Sequence, residues 1–177
     1  MEAAEILSKY AAGVRDFTGA DLSEVNLEGV NLSGAILDKA TLDGANLNGA
    51  NLTQASLNEA DLNGANLTQA NLTGANLTGA ILDGAILDGA KLDHANLTHS
   101  DLTVAKLIDA TLSEANLHKA NLNAANLDNA NLSGADLVVA DLTDANLSQA
   151  DLHQANLNGA NLEGANLEGT LLDSEQK

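Results

Sequence analysis

The sequence predicts an all-β solenoid, a chain wound into short coils around an apolar axis, and three regularities in its 177 residues predict it. Leucine recurs at every fifth position from Leu22 to Leu172, 31 times without an insertion. Alanine stands two residues ahead of that leucine in 27 of the 31 units, so the period belongs to a residue pair and not to leucine alone. Fourteen of the 15 glycines fall in the last position of the five-residue unit, as in Gly44, Gly49 and Gly64, which marks that position as a turn.

The period rejects the two ordinary alternatives. On an α-helix a five-residue step turns roughly 140° around the axis, which spreads leucine over the whole circumference. In a continuous strand the side chains alternate between faces, so an odd period sends successive leucines to opposite sides. A short extended piece closed by a turn satisfies both constraints. In Ala-Asn-Leu, the first to third slots of the unit, alanine and leucine point inward and the Asn or Asp between them outward. The fourth and fifth slots form the turn, where a positive φ suits glycine.

Coils built this way stack as parallel β-structure about 4.8 Å apart. Like charges stacked in one slot repel, and at a 15-residue repeat Glu28 would meet Asp43, Asp136 would meet Asp151 and Lys91 would meet Lys106. Spacings of 20 and 25 residues give no acid pair, so the count speaks only against a three-sided coil. At 20 residues Lys39 would stand on Glu59 and His94 on Glu114, two complementary pairs.

The run Ala65-Asn66-Leu67-Thr68-Gln69-Ala70-Asn71-Leu72-Thr73-Gly74 resembles the A(D/N)LXX signature of the pentapeptide-repeat family, and the match extends over 32 units from Arg15 to Ser174. The resemblance implies a right-handed quadrilateral β-helix with 20 residues per coil, hence about eight coils. The opening Glu5-Ile6-Leu7-Ser8-Lys9-Tyr10-Ala11-Ala12-Gly13-Val14-Arg15-Asp16-Phe17 is similar to the N-terminal cap of cyanobacterial members.

A stack must also close its ends, because terminal coils expose unpaired backbone and leucine. Ala3, Ile6, Leu7, Tyr10 and Val14 follow helical spacing, so residues 1–14 are expected as a helical cap, 15–174 as the repeat body and 175–177 as a short tail. At the far end only Leu171, Leu172 and a polar tail remain, and the last coil is expected to meet a partner or a second copy of the chain, as a homodimer.

Few residues suggest chemistry. His94, His99, His118 and His153 fall in outward slots, and only His99 and His118 share a side on neighbouring coils, with no third metal ligand beside them. Ser100 replaces an inward alanine and has no histidine in triad relation. Asp83, Asp88 and Asp93 in the fourth slot lack the nonapeptide pattern of metal-binding β-rolls. The chain is therefore expected to be no enzyme and to hold no metal or cofactor. With no signal peptide or transmembrane run the expected location is the cytoplasm, and the lack of cysteine gives no evidence about compartment.

Charge and surface apolarity carry the functional expectation. Seven basic residues against 25 acidic ones argue against direct contact with nucleic acid or anionic membrane. On a four-sided grid the side through Leu22, Leu42 and Leu62 carries Asp21, Glu24, Asp43, Asp61, Asp83, Asp101, Asp141, Asp144 and Glu163 and no lysine or arginine. The other sides carry five, four and four acids and all of Lys39, Lys91, Lys106 and Lys119. Outward apolar residues Ile81, Ile86, Val104 and Ile108 gather near one edge of the fourth and fifth coils and suggest a docking patch. The function expected is a non-catalytic protein-interaction scaffold or regulatory binding protein. The resemblance implies an alternative, a DNA-mimicking inhibitor or protector of a type II topoisomerase, as for the acidic fluoroquinolone-resistance members. From those members this chain departs in having no loop between coils, no Phe beyond Phe17 and no C-terminal dimerisation helix.

Overall fold

The computed structural model describes residues 1–173. The expected end of the repeat body at Ser174 and the tail at 175–177 lie outside the described residues.

The repeat stacks on itself with a 20-residue register. Every second-slot residue from Asp16 to Asp151 forms a parallel bridge with the residue 20 positions on, from Asp16 with Ile36 to Asp151 with Leu171. Four units therefore complete one coil, which resolves the choice that charge counting left open. No continuous strand joins these bridges; each unit contributes one bridging residue before the chain turns. The extended piece is thus as short as the period demands, because a second bridging residue would turn the next leucine outward.

Each unit satisfies its backbone in the same way. In the unit of Leu42, the leucine N–H donates to Asp61 O at 2.6 Å one coil on, and the Thr41 N–H donates back to Ala20 O at 2.9 Å. The fifth-slot Gly44 N–H donates to Asn63 O at 2.9 Å, and the Ala45 N–H closes the turn onto Leu42 O at 3.0 Å. The fifth slot has positive φ throughout, at glycines such as Gly44 and at non-glycine residues such as Glu59, Lys119 and Val139 alike. Glycine is thus favoured by the turn, yet the inter-coil bonds hold other residues in the same conformation.

The leucine column forms the axis. Every repeat leucine from Leu22 to Leu152 is fully buried, with the first-slot alanines from Ala35 to Ala155 packed beside them. Ser100 is buried too, and its hydroxyl donates to Leu97 O at 2.7 Å, so this one polar replacement of an inward alanine is satisfied inside its own turn.

The ends differ. Helix α1 (Ala3–Ala11) buries Ile6 and rests Met1, Ala3 and Tyr10 on the core. The Tyr10 hydroxyl donates to Ser33 O at 2.8 Å, the Arg15 guanidinium lies 3.7 Å from the Tyr10 ring centre, and the N-terminal amine donates to Asp21 O. At the other end Leu157, Leu162 and Leu172 are only half-buried, and Leu167 and Leu171 are 37% and 50% exposed.

Candidate interaction surfaces

The second slot shapes the surface before any partner does. Its Asn or Asp Oδ1 accepts the backbone N–H two residues on, as in Thr53 to Asn51 at 3.1 Å and Thr143 to Asp141 at 3.0 Å, an Asx-turn that opens the corner of the coil. Fourth-slot hydroxyls often join it, as Thr103 does to Asp101 at 2.6 Å. Stacked amides bond between coils at some rungs only, for example Asn46 Nδ2 to Asn26 Oδ1 at 3.0 Å and Asn146 Nδ2 to Asn126 Oδ1 at 2.9 Å. Asparagine thus serves its own turn first and the ladder second.

The bridge register sets the nine acids of the Leu22 side along one face of the rod. Asp21, Asp61, Asp101 and Asp141 alternate in a single ladder with Thr41, Ile81 and Asn121, so no two carboxylates are adjacent in it. Acids of the fourth slot fill the intervening coils at Asp43, Asp83 and Glu163. Alternation of slot from coil to coil leaves a zigzag row of negative charge with the least direct stacking.

These carboxylates divide into two kinds. Those of the ladder are engaged: Asp21 accepts the Ser23 hydroxyl and N–H at 2.8 and 3.1 Å, Asp141 the Thr143 hydroxyl and N–H at 2.5 and 3.0 Å, and Asp61 the Asn63 N–H at 3.1 Å. Bonds from the Ser23 and Thr143 hydroxyls, reinforced by the backbone N–H of the same residues, hold Asp21 and Asp141 below the usual carboxylate range. Glu24, Asp43, Asp83, Asp144 and Glu163 make no side-chain hydrogen bond among the described residues. Their carboxylates are the ones left without an intramolecular bond among the described residues, a distinction that counting charges in the sequence does not reveal.

The apolar residues are less united than the sequence suggests. Ile81 and Val104 are 43% and 50% exposed, whereas Ile86 and Ile108 are half-buried. In the ladders Ile81 lies between Asp61 and Asp101, and Ile86 between Asn66 and Lys106, so polar rungs separate the isoleucines from any apolar neighbour above and below. Ile36 and Val139, both on the side that begins at Phe17, are exposed as well.

Both complementary pairs expected at 20 residues form, Lys39 with Glu59 at 3.6 Å and His94 with Glu114 at 3.4 Å. His99 and His118 meet edge to face with ring centres 6.4 Å apart. Among the described residues no group of three or more His, Asp or Glu is placed to hold a metal ion, and no helix is long and apolar enough to cross a membrane.

Comparison with known proteins identifies the architecture. A family model described as pentapeptide repeats matches in overlapping segments, 16–54, 35–74, 45–84, 70–106, 105–143 and 135–173. The fold is similar to that of HetL, a pentapeptide repeat protein involved in heterocyst differentiation regulation from the cyanobacterium Nostoc sp. strain PCC 7120, at 32% identity over 96% of each chain with a TM-score of 0.54. A second Nostoc PCC 7120 repeat protein, alr5209, is 44% identical over 56% of this chain and 80% of its own, also with a TM-score of 0.54. Full-length QnrB1, a plasmid-mediated fluoroquinolone resistance protein, shares the fold at 18% identity over 92% and 93% of the two chains, with a TM-score of 0.54. A search of curated protein sequences found no match.

Proposed function

Since the chain belongs to the pentapeptide-repeat family, we propose that it is a non-catalytic scaffold whose acid-only side binds a basic surface on a protein partner. One observation carries this reading: Glu24, Asp43, Asp83, Asp144 and Glu163 present carboxylates with no bond among the described residues, on a side that has no lysine or arginine. A rigid row of unneutralised charge recruits a complementary surface and sets its register, raising the rate of encounter more than the strength of any one contact. Ile81 and Val104, exposed on the same side, supply apolar contact within the charged row. We read the coil as right-handed and the protein as a cytoplasmic regulator of cyanobacterial type, on the strength of its likeness to HetL over the whole chain.

The test is capture from a cyanobacterial extract with three chains. Asp43→Lys, Asp83→Lys and Glu163→Lys together should abolish a capture that the parent chain shows. The same number of reversals on the neighbouring side, Glu28→Lys, Asp109→Lys and Glu168→Lys, should leave it intact. Equal loss in both variants would mean that net charge alone is at work. Likeness to QnrB1 concerns the fold alone, and the DNA-mimic reading is separated by a gyrase supercoiling assay, in which this chain should not inhibit.

A further inference from the structure

We propose that His99 and His118 form a two-imidazole site for a divalent transition-metal ion, open to solvent on its outer side. The four histidines of the chain fall into two kinds. His94 turns its Nδ1 to Glu114 at 3.4 Å and His153 turns its Nδ1 to Asp151 at 2.8 Å, so each is committed to a carboxylate. The ring nitrogens of His99 and His118 have no bond among the described residues, and the two rings meet each other instead, edge to face with centres 6.4 Å apart. A neutral imidazole with a free ring nitrogen is the form that binds copper, nickel and zinc.

The backbone sets the two rings side by side. His99 ends its unit in the fifth slot at φ 59°. His118 fills the fourth slot one coil on, where its N–H enters the Asx-turn of Asn116 at 3.0 Å. Between them the His99 N–H donates to His118 O at 3.0 Å, one rung of the inter-coil ladder. The stack therefore fixes both Cα positions, and only side-chain angles are left to be set when an ion binds, which keeps the ordering cost small. Nitrogens about 2 Å from one ion hold two ring centres no more than roughly 6 Å apart. Rotation of the exposed His99 ring closes the observed 6.4 Å to that range without moving the backbone.

The surroundings of the pair set its affinity and its choice of ion. Among the described residues no three His, Asp or Glu converge on a metal position. Asp101, two residues past His99, gives its Oδ1 to the Thr103 N–H, the Thr103 hydroxyl and the Asn121 Nδ2. Water therefore fills the remaining positions, and with no cage to impose a geometry the order of affinity is the intrinsic one, copper above nickel and zinc. Lys119 follows His99 in the fifth-slot column and Val138 follows His118 in the fourth, so one cation opposes the ion from beside it. Lys119→Gln should tighten binding, by a margin that added salt shrinks.

Copper(II) is the probe, titrated calorimetrically into the full chain over a magnesium background that occupies exposed carboxylates and leaves imidazole alone. One ion per chain should bind, and electron paramagnetic resonance in frozen solution should show coupling to two imidazole nitrogens. Losing even a group that only orients a metal ligand costs about tenfold or more in affinity. His99→Gln and His118→Gln should each weaken binding by at least that factor and reduce the coupling to a single nitrogen. His94→Gln and His153→Gln should leave both readouts as in the parent, with circular dichroism confirming that every variant is folded. Equal loss in all the histidine variants, a stoichiometry that follows the number of acids, or a spectrum with oxygen donors only would overturn the proposal.

Discussion

The Asp93 carboxylate accepts the backbone N–H of Ser113 at 3.0 Å, one full coil further along the chain, and its second oxygen accepts the Thr111 hydroxyl at 2.7 Å. Asp38 likewise takes the Asn58 N–H and the Ser56 hydroxyl, at 3.0 and 2.5 Å, and Asp88 takes the Ile108 N–H at 3.0 Å. In each receiving unit the second slot holds Ser56, Lys106 or Thr111 and so has no Asn or Asp to accept that N–H from within. Asp38, Asp88 and Asp93 are thus inter-coil replacements for a missing Asx-turn, a role that sequence pattern did not give Asp88 and Asp93.

If that is their role, Asp93→Ala should cost about 1 kcal/mol in urea unfolding, the usual worth of a lost hydrogen bond to a partly exposed donor. Asp93→Asn should retain most of it. Thr111→Asn placed in the Asp93→Ala background should restore stability by supplying the acceptor from within the unit. Failure of that rescue would show that Asp93 acts through something other than the Ser113 N–H.

The fifth slot makes an opposite demand. Val139 and Val104 sit at φ of 58° and 49°, a region that a β-branched side chain enters at a cost. Asparagine tolerates it, and Asn129 already occupies it at φ 58°. Val139→Asn should therefore raise stability by about 1 kcal/mol, the scale of the left-handed penalty. Thermal unfolding is the measurement, and a lower midpoint would mean that the packing of Val139 beside Gly159, one coil on, outweighs the backbone strain.

The fold was open to reading from sequence because one physical constraint repeats 31 times: Leu22 to Leu172 must face one axis, and only a turn every five residues achieves that. The pairs Lys39 with Glu59 and His94 with Glu114 followed from the same arithmetic, since a register fixes neighbours without knowledge of side-chain conformation. The site was less legible. Asp21 and Asp83 look alike in a charge count, yet one is bonded within its turn and the other is not, a difference set by whether the carboxylate lies one or three residues beyond the corner alanine. Ile86 and Ile108 read as outward residues, but both are half-buried in the stack, a degree of exposure that slot position alone does not give.

The bonded acids give the stability a defined dependence on pH. Asp16, Asp21, Asp141 and Asp151 are held below the usual carboxylate range, the first three chiefly by fourth-slot hydroxyls and Asp151 chiefly by the backbone N–H of His153. A depressed folded pKa stabilises the fold above the unfolded value and loses that contribution as pH falls through the folded one. Asp141→Asn keeps an acceptor that does not titrate. The stability difference between parent and variant should be constant near neutral pH and shift against the parent below about pH 4, the ordinary Asp range. A difference that moves near neutral pH instead would mean that the Asp141 carboxylate is not the group responsible.

Finally, the unequal ends predict a gradient of opening along the rod. In a stack whose coils touch only their neighbours, fluctuations start at whichever end is less well closed. Tyr10 and Arg15 fasten α1 over the first coil, with the hydroxyl bonded to Ser33 O and the guanidinium against the ring. The last coil has no such cover among the described residues. Amide exchange should therefore be slowest near Leu82 to Leu97, faster at Leu27, and fastest at Leu162 and Leu167. Tyr10→Phe removes one bond and should accelerate exchange in the first coil by several-fold, while the amides of the fifth coil onward stay unchanged. Acceleration spread evenly along the chain would mean that the rod opens as one cooperative unit and that α1 guards the whole stack, not only its nearest coil.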